Sequence, residues 1–237
     1  MIQRTKETAA DGTETFLESM SSEGKVRLDK LSWYIPHVTP SLEHKVKLMK
    51  EITNKMNYDV GYKMISCESF SVPQTSQFDW NLNLKGSPEK PRYIIIGFQN
   101  ENDAKFNKAR FDHMNLKNIY AYFGSRRYPE IDYSLDFKKN QYSRMYREAA
   151  SFKQKYYNID EILSSVNLTS VEYKDFYPLF VIDISKQSTN IQDKLNNIQI
   201  KATFQENAPF GTKAHAIIIN DRIVRFQSDG SKFYVIS

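Results

Sequence analysis

SQFDWNLNL, residues 76–84, decides the fold class: Phe78, Trp80, Leu82 and Leu84 fall at every second position, with Asp79, Asn81 and Asn83 between them. Successive side chains of a strand point to opposite faces, so this stretch predicts a β-strand with one apolar and one polar face. The next segment, YIIIGF at Tyr93–Phe98, is continuously apolar and predicts a strand covered on both faces. Working outward, KVRLDKLSWYI (25–35) alternates around a local slip, and YKMISCESFSV (62–72) repeats the alternation. NIYAYF (118–123), PLFVIDI (178–184), IQIKATF (198–204), HAIII (215–219), RIVRFQ (222–227) and KFYVI (232–236) complete the set. Asn220-Asp221 and Asp229-Gly230 separate the last three, and both pairs are turn signals at hairpin spacing.

Two segments carry a helical period instead. Thr39 is placed to act as an N-cap with Pro40 at the first helical position, and Leu42, Val46, Met49, Thr53 and Met56 then mark one face. A second helix is predicted from Gln141 to Tyr157, where Tyr142, Met145, Ala149, Phe152 and Tyr156 step by three and four. Each has one apolar face and is expected to pack on a sheet or a neighbouring subunit. Elsewhere strands follow strands, which excludes a βαβ alternation and favours an all-β fold, a sandwich of two antiparallel sheets with two inserted helices. The jelly roll is one such sandwich, and periodicity alone does not separate it from the others. With 15 Tyr and 15 Phe the chain is rich in the side chains that suit a pleated, half-buried surface.

Residues 1–24 are polar, rich in Thr, Ser, Glu and Asp, and are read as a flexible N-terminal arm, because they offer too little apolar surface to offset the entropy of ordering. Residues 25–237 are expected to form a single domain. The formal net charge of +5 is mild, and the basic residues are scattered apart from Arg126-Arg127 and Lys138-Lys139. That spread predicts a solvated basic surface rather than a dedicated nucleic-acid stripe. Cys67 stands alone, which excludes an intrachain disulfide framework. The Met1 end lacks a signal-peptide pattern, and no apolar run approaches the roughly 18 residues of a membrane span. The expectation is an intracellular protein, not secreted and without a membrane partner.

The candidate chemistry is sparse. His37, His44, His113 and His215 lack the spacing of a metal pair and have no carboxylate or cysteine cluster beside them. There is no Gly-rich phosphate loop and no G-x-S-x-G, and Gly124-Ser125-Arg126-Arg127 reads as a surface loop. No catalytic, cofactor or metal residues are therefore assigned. The best enzymatic pattern is that of a metal-dependent nuclease, with Asp183 ending one apolar strand and Lys201 in a later one. Its second carboxylate position is occupied by Gln199, and Asp183 is equally placed to bond backbone at a strand end.

Five segments, taken together and in order, resemble the major capsid proteins of Polinton (Maverick) elements and adintoviruses. They are LSWYIPHVTPS (31–41), PRYIIIGFQ (91–99), NLKNIYAYFGSRRYP (115–129), PLFVIDISKQ (178–187) and ENAPFGTKAHAIIINDRIVRFQSDG (206–230). The resemblance implies a double jelly-roll subunit that trimerises into the capsomer of an icosahedral virion shell, self-associating and meeting other capsid proteins, with weak non-specific contact to packaged DNA. This chain is shorter than such a subunit and would supply one jelly roll, the C-terminal one. A carbohydrate- or receptor-binding sandwich is the alternative, since jelly rolls also serve that use.

Overall fold

In the computed structural model, which describes residues 6–8, 14–16, 30–83, 90–102, 109–160, 168–186 and 197–236, the period-two stretches from Tyr62 onward lie in two antiparallel sheets. The chain divides into two units, Met1–Leu48 and Met49–Ser237. In the first, β1 (Lys6–Thr8) pairs with β2 (Glu14–Phe16) within the stretch read as an arm, most of which lies outside the described residues. A helix, α1 (Leu42–Thr53), begins in this unit, and none of its residues is buried. It starts two residues later than expected. Ser41, not Thr39, holds the cap position, its Oγ accepting from the His44 amide at 3.5 Å.

The strand expected at 25–35 is not formed in its described part. Residues 30–41 have no regular structure and are exposed throughout. The alternation breaks at Trp33-Tyr34-Ile35, three consecutive apolar residues that no single strand face can hold.

The second unit holds β3 (Asn57–Ser71), β4 (Gln77–Asn83), β5 (Lys90–Asn100), β6 (Leu116–Phe123), β7 (Arg126–Tyr128), β8 (Phe180–Asp183), β9 (Asn197–Phe204), β10 (Thr212–Ser228) and β11 (Phe233–Ile236). One sheet runs β3-β10-β5-β8, with β11 beside the far end of β10, and the other runs β4-β9-β6-β7. Along the chain the strands cross from one sheet to the other, except at the β6-β7 hairpin and the β10-β11 hairpin. This winding, with β10 beside β3 and β9 beside β4, is the strand order of a jelly roll. The eight strands β3 to β10 make one complete roll.

Alternation places the core. Phe78, Trp80 and Leu82 of β4, Ile94, Ile96 and Phe98 of β5, Ile119 and Ala121 of β6, and Ile198, Ile200 and Ala202 of β9 are all buried between the sheets. Ala214, Ala216 and Ile218 of β10 close the same layer. Gly97 lies on the outward side of β5, where a Cβ would come within 2.5 Å of the Phe111 ring, so only glycine admits that close approach.

One local signal was overridden. Asn220-Asp221 does not turn: β10 runs on through it with a bulge between Ile219 and Asn220. The continuous pairing of Lys213–Gln227 with β3 outweighs the turn preference of two residues. Asp229-Gly230 does turn, with Gly230 at φ 101° and the Asp229 carboxylate accepting from the amides of Ser231 and Lys232 at 2.8 and 3.0 Å.

Between β7 and β8 lie two helices, α2 (Ser143–Tyr157), close to expectation, and α3 (Ser170–Phe176), which was not anticipated. α2 buries Met145 and Ala150, and its Phe152 stands edge-on to Tyr93 at 5.3 Å. A tyrosine set ties the helices together. Tyr142 and Tyr146 donate to the carbonyls of Ser170 and Leu168 at 3.2 and 2.6 Å, and buried Tyr173 donates to Leu179 at 3.1 Å. Thr169 and Glu172 form a reciprocal capping box at the start of α3, with Oγ1 accepting from the Glu172 amide at 3.2 Å. Thr169→Ala is expected to lower unfolding free energy by about 1 kcal/mol, the usual worth of a cap, read from the midpoint of a urea melt at unchanged slope.

Candidate assembly surface and basic pocket

β3 and β10 are longer than the sandwich they belong to. Beyond Ile65 and Ile219 they continue as a ribbon, joined by β11, whose residues are mostly exposed. Register fixes which side chains share a face. Val60 stands opposite Val224, Tyr58 opposite Phe226 and Phe226 opposite Val235, so these residues and Tyr62 form one apolar face. Val60 is 48% exposed, Tyr62 44% and Val235 60%. The reverse face carries exposed Ile65, Ile223, Tyr234 and Ile236, beside a bidentate Arg225–Asp59 pair at 2.7 and 2.8 Å. Single exposed apolar residues are ordinary; here register gathers several on each face of one ribbon. Among the described residues β3 pairs with a strand on one side only, β10.

A pocket of about 770 Å³ lies between the β6-β7 hairpin, the segment that follows it, α2 and the end of β8. Its lining includes Arg126, Arg127, Arg144, Lys155 and Lys186, against Glu130, Glu148 and Asp183. Lys155 absorbs two of these carboxylates, with Nζ 2.5 Å from Glu148 and 3.6 Å from Asp183. Burial works against its charge, yet the Glu148 hydrogen bond and the two carboxylates hold the ammonium above its ordinary pKa. Burial, reinforced by the Glu148 charge, pushes the Tyr133 phenol up to about 12. The Arg127 guanidinium is paired with Asp132 and lies 3.9 Å over the Tyr120 ring. Two buried polar atoms of the wall, Arg127 Nε and the Tyr128 hydroxyl, have no hydrogen-bond partner among the described residues, a state that costs about 1–3 kcal/mol per group.

Asp183 and Lys201 are not brought together. Ile182 and Ile200 point inward, so their neighbours Asp183 and Lys201 point outward from opposite sheets. The Asp183 carboxylate accepts from the Ser185 amide and hydroxyl at 2.9 and 2.6 Å, the strand-end role, while Lys201 pairs with Asp79 at 3.0 Å. The nuclease arrangement is thereby excluded on geometry. His113 stacks on Phe137 at 4.3 Å, and burial pulls its pKa below the ordinary value. His44 bonds Ser41 at 2.8 Å, and His215 lies on β10 with Nε2 buried and without a hydrogen-bond partner among the described residues. Among the described residues no group of three or more His, Cys, Asp or Glu side chains could hold a metal ion, and no helix is long and apolar enough to cross a membrane. Of the lining residues, the sequence shows the Arg126-Arg127 pair alone as a cluster, and its expected place is a solvated surface loop. Arg144, Lys155 and Lys186 are distant in sequence and meet only because the crossover from β7 to β8 folds back.

A single jelly roll with two long strands projecting beyond it is the class this architecture defines, an antiparallel β-sandwich. The chain belongs to the double jelly roll-like domain family, whose sequence model matches residues 7–224. Among solved structures it is similar to PBCV-1 VP54 fitted into a cryo-EM reconstruction of the virophage Sputnik, at 9% identity and a TM-score of 0.42, over 83% of this chain and 54% of that one. It is also similar to the Sputnik virophage structure by cryo-EM, at 8% identity and a TM-score of 0.34, over 76% of this chain and 39% of that one. The chain thus spans about half or less of the structures it matches. No curated protein matches its sequence.

Proposed function

We propose that this chain is a structural, non-enzymatic capsid domain, the C-terminal jelly roll of a double jelly-roll subunit of the Polinton and adintovirus type. It self-associates as a homotrimer, meets other capsid proteins in the virion shell and touches packaged DNA weakly. The observation that carries this reading is the coincidence of membership in a double jelly roll-like family with one complete roll among the described residues. The apolar ribbon of β3, β10 and β11 supplies the kind of surface such assembly needs. Sedimentation velocity of the full chain over a wide concentration range tests it: trimers or larger closed assemblies are expected, and a strict monomer at the highest concentration overturns self-assembly. A second reading, a carbohydrate- or receptor-binding sandwich, draws on Tyr120 and Tyr122, whose rings meet edge-on at 5.6 Å on the outer face of β6 near Lys201 and Asp79. Binding to a glycan array that is lost in Tyr122→Ala would favour it over the first.

A further inference from the structure

We propose that the pocket between the β6-β7 hairpin, α2 and the end of β8 is a binding site for a phosphate group. The proposal stands apart from the shell reading, because it needs only the chemistry of the pocket wall. Five cationic side chains face three carboxylates there. Two of the carboxylates, Glu148 and Asp183, are already engaged by Lys155, and Arg127 is held by Asp132. Arg126 and Lys186 have no ion-pair partner among the described residues, and Arg144 has only the Tyr133 ring, 4.7 Å from its guanidinium carbon. Glu130, at the exposed rim, is the one lining carboxylate without a cation among the described residues. With Asp132 included, five cations stand against four carboxylates, so the pocket carries a net charge of +1, and two of its unpaired cations, Arg126 and Arg144, are guanidinium forks. Such forks match the paired oxygens of a phosphate better than an ammonium does.

The wall adds a second and independent sign. Arg127 Nε and the Tyr128 hydroxyl are buried and have no hydrogen-bond partner among the described residues, so polar capacity beside the pocket is left unmet. A pocket of about 770 Å³ also has room for more than a lone ion, with Pro129, Ile131 and Tyr133 offering apolar surface beside the charges. The shared chemistry of the ligand is a phosphate group, carried either by a small polyphosphate or by the strand of a nucleic acid.

Isothermal titration of the full chain with inorganic pyrophosphate, and fluorescence anisotropy with a labelled single-stranded oligonucleotide, test the site and its source. Saturable one-to-one binding of pyrophosphate is expected, weakened about tenfold or more in Arg144→Gln and again in Lys186→Gln. Both positions are exposed, so the fold is expected to survive, and near-UV circular dichroism verifies it. Lys138→Gln, which removes the same charge at a residue paired with Glu206 away from the pocket, should leave affinity unchanged. If pyrophosphate displaces the oligonucleotide, a nucleic-acid strand is a source; if pyrophosphate binds and the oligonucleotide does not, the source is a small polyphosphate. Absence of pyrophosphate binding, or equal loss in Lys138→Gln and Arg144→Gln, overturns the proposal, the latter by reducing it to net charge.

Discussion

Phe98→Ala is expected to lower the unfolding free energy by about 3–5 kcal/mol, the largest loss of any single truncation argued for this chain. Phe98 is 0% exposed and lies on β5, which β10 flanks on one side and β8 on the other. Its ring meets Phe180 of its own sheet at 5.8 Å and Phe78 and Phe204 of the facing sheet at 6.2 and 5.4 Å. Removing it opens a void at the junction of the two sheets, where large neighbouring rings on both sides limit collapse. Ile96→Val, two residues along the same strand and also fully buried, removes one methylene without opening such a void. About 0.5–1.5 kcal/mol is expected there. Urea titration followed by tryptophan fluorescence reads both, since Trp80 lies in the same buried cluster. A Phe98→Ala loss no greater than that of Ile96→Val would mean that the aromatic cluster is not the joint between the sheets.

The core strands were legible because both of their determinants are local. Period-two burial in β4 and β9 and the continuous apolar run of β5 each report how many faces of the strand are covered. The pairing order was not legible, because β3 meets β10 across most of the chain and no local pattern encodes that partner. Asn220-Asp221 shows the same limit in reverse: the local signal was for a turn, and a distant strand decided otherwise. α3 was readable in principle, since Thr169 and Glu172 stand at capping-box spacing, but seven residues carry too short a period to register against the strands around them. LSWYI was misread for a physical reason. Its apolar residues fit the composition of a strand, yet three in succession belong to neither face, and they are left exposed. Of the pocket, the arginine pair was visible and its partners were not, since a charge cluster assembled by a crossover has no sequence spacing of its own.

Lysine at both Val60 and Val235 is expected to turn the assembling protein into a monomer while leaving the sandwich intact, provided that the ribbon is the contact surface proposed above. The two side chains lie on one face, each separated from the other by Val224 and Phe226, and each is about half exposed or more in the single chain. Solvated lysine is therefore tolerated in the unassembled chain, and lysine on open strand edges is a common defence against pairing. Within a contact, by contrast, each ammonium would be stripped of water, and the carboxylate that reaches this face, that of Glu51, already accepts from the Tyr58 hydroxyl, so the burial costs several kcal/mol per charge. Interface energy concentrates in a few central aliphatic and aromatic anchors, so two such penalties are enough to abolish association rather than shade it. Sedimentation velocity reads the outcome, and an unchanged urea midpoint establishes that the fold is retained. Ile223→Lys, on the reverse face of the same ribbon, separates the alternatives. If it dissociates the assembly and the paired substitution does not, the contact is made by the face of Ile65, Ile223 and Tyr234, and the edge of β3 opposite β10 would then be the element that sets its geometry.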